Sequence, residues 1–162
     1  MASTSTNKQP LLVDRVLHEV VDLVGSTVAQ DAGVDISGTN SAALIIDCTT
    51  NDGAILEDIY SIGRTTAYKI NLYLSAAADY LRTQQSVYIG TLTSSSSVGT
   101  KTRIASENLP YVLAPMPHAG TDSQFNAIYI PRGRALWAAV EQQSPNDQAV
   151  TAPLLGVQGG YY

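Results

Sequence analysis

An all-β fold, an antiparallel β-sandwich of about seven or eight strands with jelly-roll-like connections, is what this sequence predicts. Three observations predict it. From residue 41 onward, short runs of Val, Ile, Leu, Tyr and Thr recur with turn residues between them, and β-branched and aromatic side chains suit a pleated, half-buried surface. The turn signals return at the spacing of a sandwich or barrel. Helical crossovers between the runs are missing, which argues against a parallel α/β sheet. A chain of 162 residues fits one domain and can bury most of its apolar surface without disulfide staples.

Residues 1–9 are polar and rich in Ser and Thr, and read as a loose arm. Leu12, Val13, Val16, Leu17, Val20, Val21 and Val24 then recur at steps of three and four. That period predicts an amphipathic helix over residues 11–24, with Pro10 near its first turn and Gly25 at its end. The abundance of Val favours the competing conformation, an extended arm. Either way the segment has an apolar side that can face the chain's own core or a neighbouring subunit. Residues 25–40 read as a connection with one short strand near Val34–Ile36. The expected layout is an N-terminal arm and connection over 1–40, a sandwich over 41–157 and a flexible tail over 158–162.

Ala43–Thr49 is the first clear strand, and Asn51-Asp52-Gly53 after it is a turn of the type that joins hairpins. Ala54–Arg64 follows, and its broken alternation predicts a bulge or burial on both faces. In the next strand Tyr68, Ile70, Leu72 and Leu74 share one face, and Lys69, Asn71 and Tyr73 the other. Ser86–Thr93 sets Val87 and Ile89 against Tyr88 and Leu92. The serine run in Ser94–Thr100 predicts a mobile loop. Leu109–Ala114 is a strand with Pro110 at its start. Residues 115–120 read as a turn, because two prolines cannot continue a ladder. Asn126–Ile130 and Ala135–Gln142 flank Pro131-Arg132-Gly133-Arg134, a hairpin signal. Val150–Val157 is a last, interrupted strand.

The chemistry-bearing residues are sparse. Nine Lys and Arg against 14 Asp and Glu give a net charge of −5. The closest basic pairs, Lys101/Arg103 and Arg132/Arg134, are too small for a multi-phosphate footprint, so no nucleic-acid partner is expected. Only 14% of residues are charged, and so sparse a surface repels other proteins weakly. Cys48 is the single cysteine. It excludes an internal disulfide and reads as a small buried hydrophobe. His18 and His118 lack metal-ligand spacing. Phosphate loops and the G-x-S-x-G elbow are absent. Asp47, Asp52, Glu57 and Asp58 read as turn and surface carboxylates rather than an acid–base pair. No catalytic residue, metal or cofactor is expected. An apolar segment of signal-peptide or membrane-spanning kind is also missing, so no membrane partner is expected. Nine tyrosines against one phenylalanine suit core filling, strand pairing and half-buried contacts.

The stretch from Ala42 to Gly156, roughly 70% of the chain, resembles a group of small phage virion proteins with a β-sandwich. The likeness rests on Leu44-Ile45-Ile46-Asp47-Cys48 leading into Thr49-Thr50-Asn51-Asp52-Gly53, on the strand Ala54–Thr66, on Lys69–Leu74, on Leu109-Pro110-Tyr111-Val112-Leu113, and on Ile130–Ala138 with its Leu136-Trp137-Ala138. The resemblance implies a capsid cement or decoration protein, made in the host cytoplasm and carried on the capsid surface. It would bind the major capsid protein and other copies of itself, as a dimer or trimer. A small tail or fibre adaptor and a carbohydrate-binding β module are the alternatives. The expected interface residues are Leu12, Val13, Val16, Leu17, Val20, Val21, Val24, Tyr161 and Tyr162.

Overall fold

The computed structural model describes residues 15–23, 35–36, 42–50, 52–76, 81–82, 86–104, 115–116, 125–140 and 152–161. Among the described residues there are strands and no helix. In chain order they are β1 (Arg15–Asp22), β2 (Asp35–Ile36), β3 (Ala43–Asp47), β4 (Gly53–Ile62), β5 (Lys69–Ser75), β6 (Leu81–Arg82), β7 (Val87–Thr93), β8 (Lys101–Arg103), β9 (Pro115–Met116), β10 (Phe125–Asn126), β11 (Ile128–Pro131), β12 (Ala135–Val140) and β13 (Leu154–Tyr161).

Two antiparallel sheets carry the structure. The first runs β1-β13-β4, and the far side of β4 is paired by β11 over its first half and by β8 over its second. The second runs β3-β12-β5-β7. The short ladders β2/β6 and β9/β10 stand apart from both. The main core lies between the two sheets. Leu17, Leu56, Ile59, Ile130, Leu155 and Val157 meet Ile46, Ile70, Leu72, Leu92, Leu136 and Val140 there, all buried. Stacked sheets bury one face of each strand in this way.

The sheet of β12 is buried on both faces. Leu136, Ala138 and Val140 face the main core, whereas Ala135, Trp137 and Ala139 join Tyr73 in a second cluster on the outer face. Tyr73 and Tyr88 meet there edge to face, with ring centroids 5.9 Å apart. Thr91 donates from Oγ1 to Asn71 Oδ1 at 2.8 Å beside them. The alternation read for β5 therefore holds, but its second face is buried as well.

Three bulges explain where simple alternation fails. Gln158 pairs with Asp58 and Gly159 with Leu56, so Glu57 is an extra residue in β4. Leu136 pairs with Ile46 and Trp137 with Leu44, which inserts Ile45. Leu72 pairs with Gly90 and Tyr73 with Tyr88, which inserts Ile89. An inserted residue resets the two-residue period, so Ile45 joins Ile46 in the core. Likewise Ile89 shares the core with Leu92 rather than opposing it.

Several expectations need correction. Residues 15–22 of the expected helix form β1, paired with β13 over eight positions from Arg15↔Tyr161 to Asp22↔Leu154. The conformation is extended, yet it is not a separate arm: Leu17 and Leu23 are buried in the main core. The expected tail is largely strand too, because Gln158–Tyr161 complete β13. Neither Asn51-Asp52-Gly53 nor Pro131–Arg134 joins a hairpin. The strands on either side of each turn belong to different sheets. The turns dock on each other, Cys48 N donating to Arg134 O at 2.9 Å and Gly133 N to Cys48 O at 2.8 Å. Ser94–Thr100 is a pinned turn rather than a mobile loop. Gly63 N donates to Thr100 O at 2.8 Å, Gly99 N to Gly63 O at 3.0 Å, and Ser94 N to Tyr68 O at 2.8 Å. Pro115 and Met116 do join a ladder, with Asn126 and Phe125. The ladder is only two residues long, and a proline carbonyl can still accept. The expected strand at 109–114 lies outside the described residues, as do Pro10 and Gly25.

Candidate contact surface

Among the described residues, three of the five exposed large hydrophobic side chains stand on the outer face of the β1-β13-β4 sheet and its neighbour β11. Antiparallel register lays its outward side chains in rows across the strands. One row is Val20–Gly156–Tyr60–Arg103. On one side of it lies His18–Gln158–Asp58, and on the other Asp22–Leu154–Ile62–Lys101. A further row nearer the end of β13 is Val16–Gly160–Ile55–Tyr129.

Tyr60 organises the polar part. A Cβ on Gly156 would stand 2.2 Å from Tyr60 Cζ, so the ring lies flat across β13 in the space the glycine leaves. The Tyr60 hydroxyl reaches His18 Nε2 on β1 at 3.1 Å. Lys101 Nζ sits 3.7 Å from the ring centroid on β8's side, a cation–π contact. Lys101 Nζ also donates to Asp58 Oδ2 at 2.8 Å, and Arg103 Nε donates to the same carboxylate at 3.1 Å. The result is a strap that ties β1, β13, β4 and β8 together on the outside. Tyr60 is only 7% exposed, so its ring is not a free stacking platform.

The apolar part lies beside the strap. Val16 is 81% exposed, Val20 46% and Tyr129 36%. These three stand on one sheet face, whereas Val87 and Val98, the other exposed large hydrophobics among the described residues, lie elsewhere. Val16 and Tyr129 stand at the two ends of the row that runs through Gly160 and Ile55, and Val20 stands beyond the His18–Gln158–Asp58 row.

The expected interface residues divide. Val16 and Val20 stand on this face. Leu17 is buried, and Val21 and Tyr161 pack against the chain's own core. Arg15 lies over the Tyr161 ring, 4.7 Å from its centroid. Leu12, Val13, Val24 and Tyr162 lie outside the described residues. Sequence reasoning missed Tyr129 and the Tyr60 strap. The only advance signal for the strap was the Gly156, Gly159, Gly160 series, in which missing side chains mark close approach.

The remaining candidate chemistry is structural. Cys48 is fully buried, and burial, with Asp47 beside it, pushes its thiol up to about 11. Asp47 Oδ1 accepts from Thr49 N at 2.8 Å and so holds the turn. Asp52 meets Arg132 at 3.4 Å with both side chains exposed, a pair of small worth. Among the described residues no group of His, Cys, Asp and Glu could hold a metal ion. Among the described residues there is no helix long and apolar enough to cross a membrane. Comparison with family models, curated proteins and solved structures finds no match to the chain.

Proposed function

We propose that this chain is a structural virion protein, a capsid cement protein on a jelly-roll sandwich, which adheres to the major capsid protein and to its own copies. The observation that carries the reading is the strand order. β1, β13, β4 and β8, with β11 as an added strand beside β4, pack against β3, β12, β5 and β7, with the first and last long strands adjacent and the chain changing sheet at most connections. That arrangement fits an eight-stranded double Greek key, an architecture that recurs in viral capsid and lectin domains.

Architecture alone does not assign a role. The surface supplies the rest: few charges, and the exposed side chains Val16, Val20 and Tyr129 on one sheet face. Adhesion needs area and complementarity rather than a cleft. Residues 15–23 belong to the sandwich body, because β1 and the residue after it contribute Leu17 and Leu23 to the core.

The test is copy number on purified particles of the virus that encodes the chain, by quantitative mass spectrometry, with the label located by electron microscopy. Hundreds of copies spread over the shell are expected, and shells stripped of the protein should burst at lower temperature and recover when it is added back. A count of tens, confined to the tail, would reassign it as a tail or fibre adaptor. Absence from particles together with binding on a glycan array would replace the reading with a carbohydrate-binding module.

A further inference from the structure

We infer that β1 is a self-pairing edge: two copies of the chain join antiparallel along β1, with His18 opposite His18 of the second copy at the two-fold axis. The inference deepens the adhesive reading by naming a partner, a second copy of this chain. Among the described residues β1 ends the order of its sheet, and sheet edges are templates for a further strand.

The outward pattern of β1 selects one register. Faces are conserved across an antiparallel pair, so the numbers of opposed residues must sum to an even value. A sum of 36 sets Val16 against Val20 of the second copy, twice by symmetry. It thereby brings together the two exposed valines of each chain, 81% and 46% open. On the other face it sets Arg15 opposite Val21 and diagonal to Glu19. Diagonal side chains in an antiparallel pair lie about 7–8 Å apart, within reach of long opposite charges. A shift to 38 places Glu19 directly against Glu19 and Val16 against Asp22, which is repulsive and wasteful of apolar area. A shift to 34 shortens the described ladder to residues 15–19 and leaves Val20 without a valine. The register of 34 does set Arg15 directly against Glu19, but only 36 pairs the exposed valines with each other, and burial of that apolar surface selects it.

The strap behind β1 supports the role. His18 is tied to Tyr60, Tyr60 lies across Gly156, and Lys101 covers the ring. These contacts hold the edge strand against its own sheet.

Disulfide trapping in the full-length protein tests the register without any virus particle, so its outcome is independent of where the protein resides. V16C and V20C are made separately, and Cys48 stays buried. Under mild oxidation, a mixture of the two variants should form a crosslinked heterodimer at least tenfold faster than either variant alone forms a homodimer. Adding V16K/V20K to the unlabelled chain should weaken the dimer seen by sedimentation tenfold or more, with the circular dichroism spectrum kept. The inference is overturned if the folded mixture does not crosslink, if each single variant crosslinks with itself as fast, or if the wild-type chain sediments as a monomer up to millimolar concentration.

Discussion

Cys48 and Gly156 show how single residues are fixed by their surroundings. The Cys48 thiol is fully buried, with Asp47 beside it. Its ionisation is moved from 9.0 to about 11. The thiol is thus neutral and shielded at pH 8, and alkylation by a maleimide should wait for unfolding. The sign at higher pH follows from linkage. Above pH 9 the unfolded chain loses a proton that the folded chain keeps, so stability falls from about pH 9 until about pH 11. Tyr161, raised above 10.0 mainly by burial, adds to the decline at the alkaline end. Urea midpoints between pH 8 and 11 should drop, and C48A should flatten the first part of that drop. An equal decline in C48A would show that other groups control it. Gly156 is fixed by space. A methyl group there meets the Tyr60 ring at 2.2 Å, so G156A should cost roughly 1–3 kcal/mol, as overpacking does. The cost should shrink in a Y60A background, which a double-mutant cycle measures; full additivity would mean that the strap is not the cause.

At the scale of the element, β1 shows what was legible and what was not. The doublets Val16-Leu17 and Val20-Val21 repeat every four residues, which suits a helical stripe. The same spacing is also an even number, so on a strand Val16 and Val20 share one face and Leu17 and Val21 the other. Periodicity alone could not separate these cases; the β-branched composition could, and the eight-position ladder with β13 agrees with it. The bulges at Ile45, Glu57 and Ile89 blurred alternation for a related reason, since each resets the period inside a strand. The contact face was half legible. Val16 and Val20 stood out as apolar, but Tyr129 and Tyr60 reach that face only through register with strands far off in sequence. Because β1 belongs to the core, L17A should lower stability by about 2–5 kcal/mol. Deleting residues 1–25 should yield a chain without the near-native circular dichroism of a sandwich. Should that truncated chain unfold as cooperatively as the full one, β1 would be an accessory strand after all.

At the scale of the whole molecule, the connections decide how the protein unfolds. The chain changes sheet between β1 and β3, β3 and β4, β4 and β5, β7 and β8, β11 and β12, and β12 and β13. Neither sheet is a continuous piece of chain, so neither can detach while the other persists. Two of these crossings are further locked together at one place. Gly63 follows β4, and a Cβ there would lie 2.5 Å from the carbonyl oxygens of both Ser95 and Ser97. The β4–β5 and β7–β8 crossings therefore close on each other through backbone that has no room to yield. One unfolding transition is expected, and the molecule contains separate reporters for it. Trp137, the single tryptophan, sits in the outer cluster of the β12 sheet, and far-ultraviolet circular dichroism reads both sheets. Their urea curves should coincide, as two-state behaviour requires. G63A should shift both curves together to lower urea by breaking the crossings rather than one sheet. Separation of the fluorescence and dichroism midpoints, in the wild type or in G63A, would mean that the sheets are independently stable and that the crossings do not couple them. The same non-local connectivity places refolding in the slow range of milliseconds to seconds typical of sandwiches, because contacts such as β1 with β13 close nearly the full length of the chain.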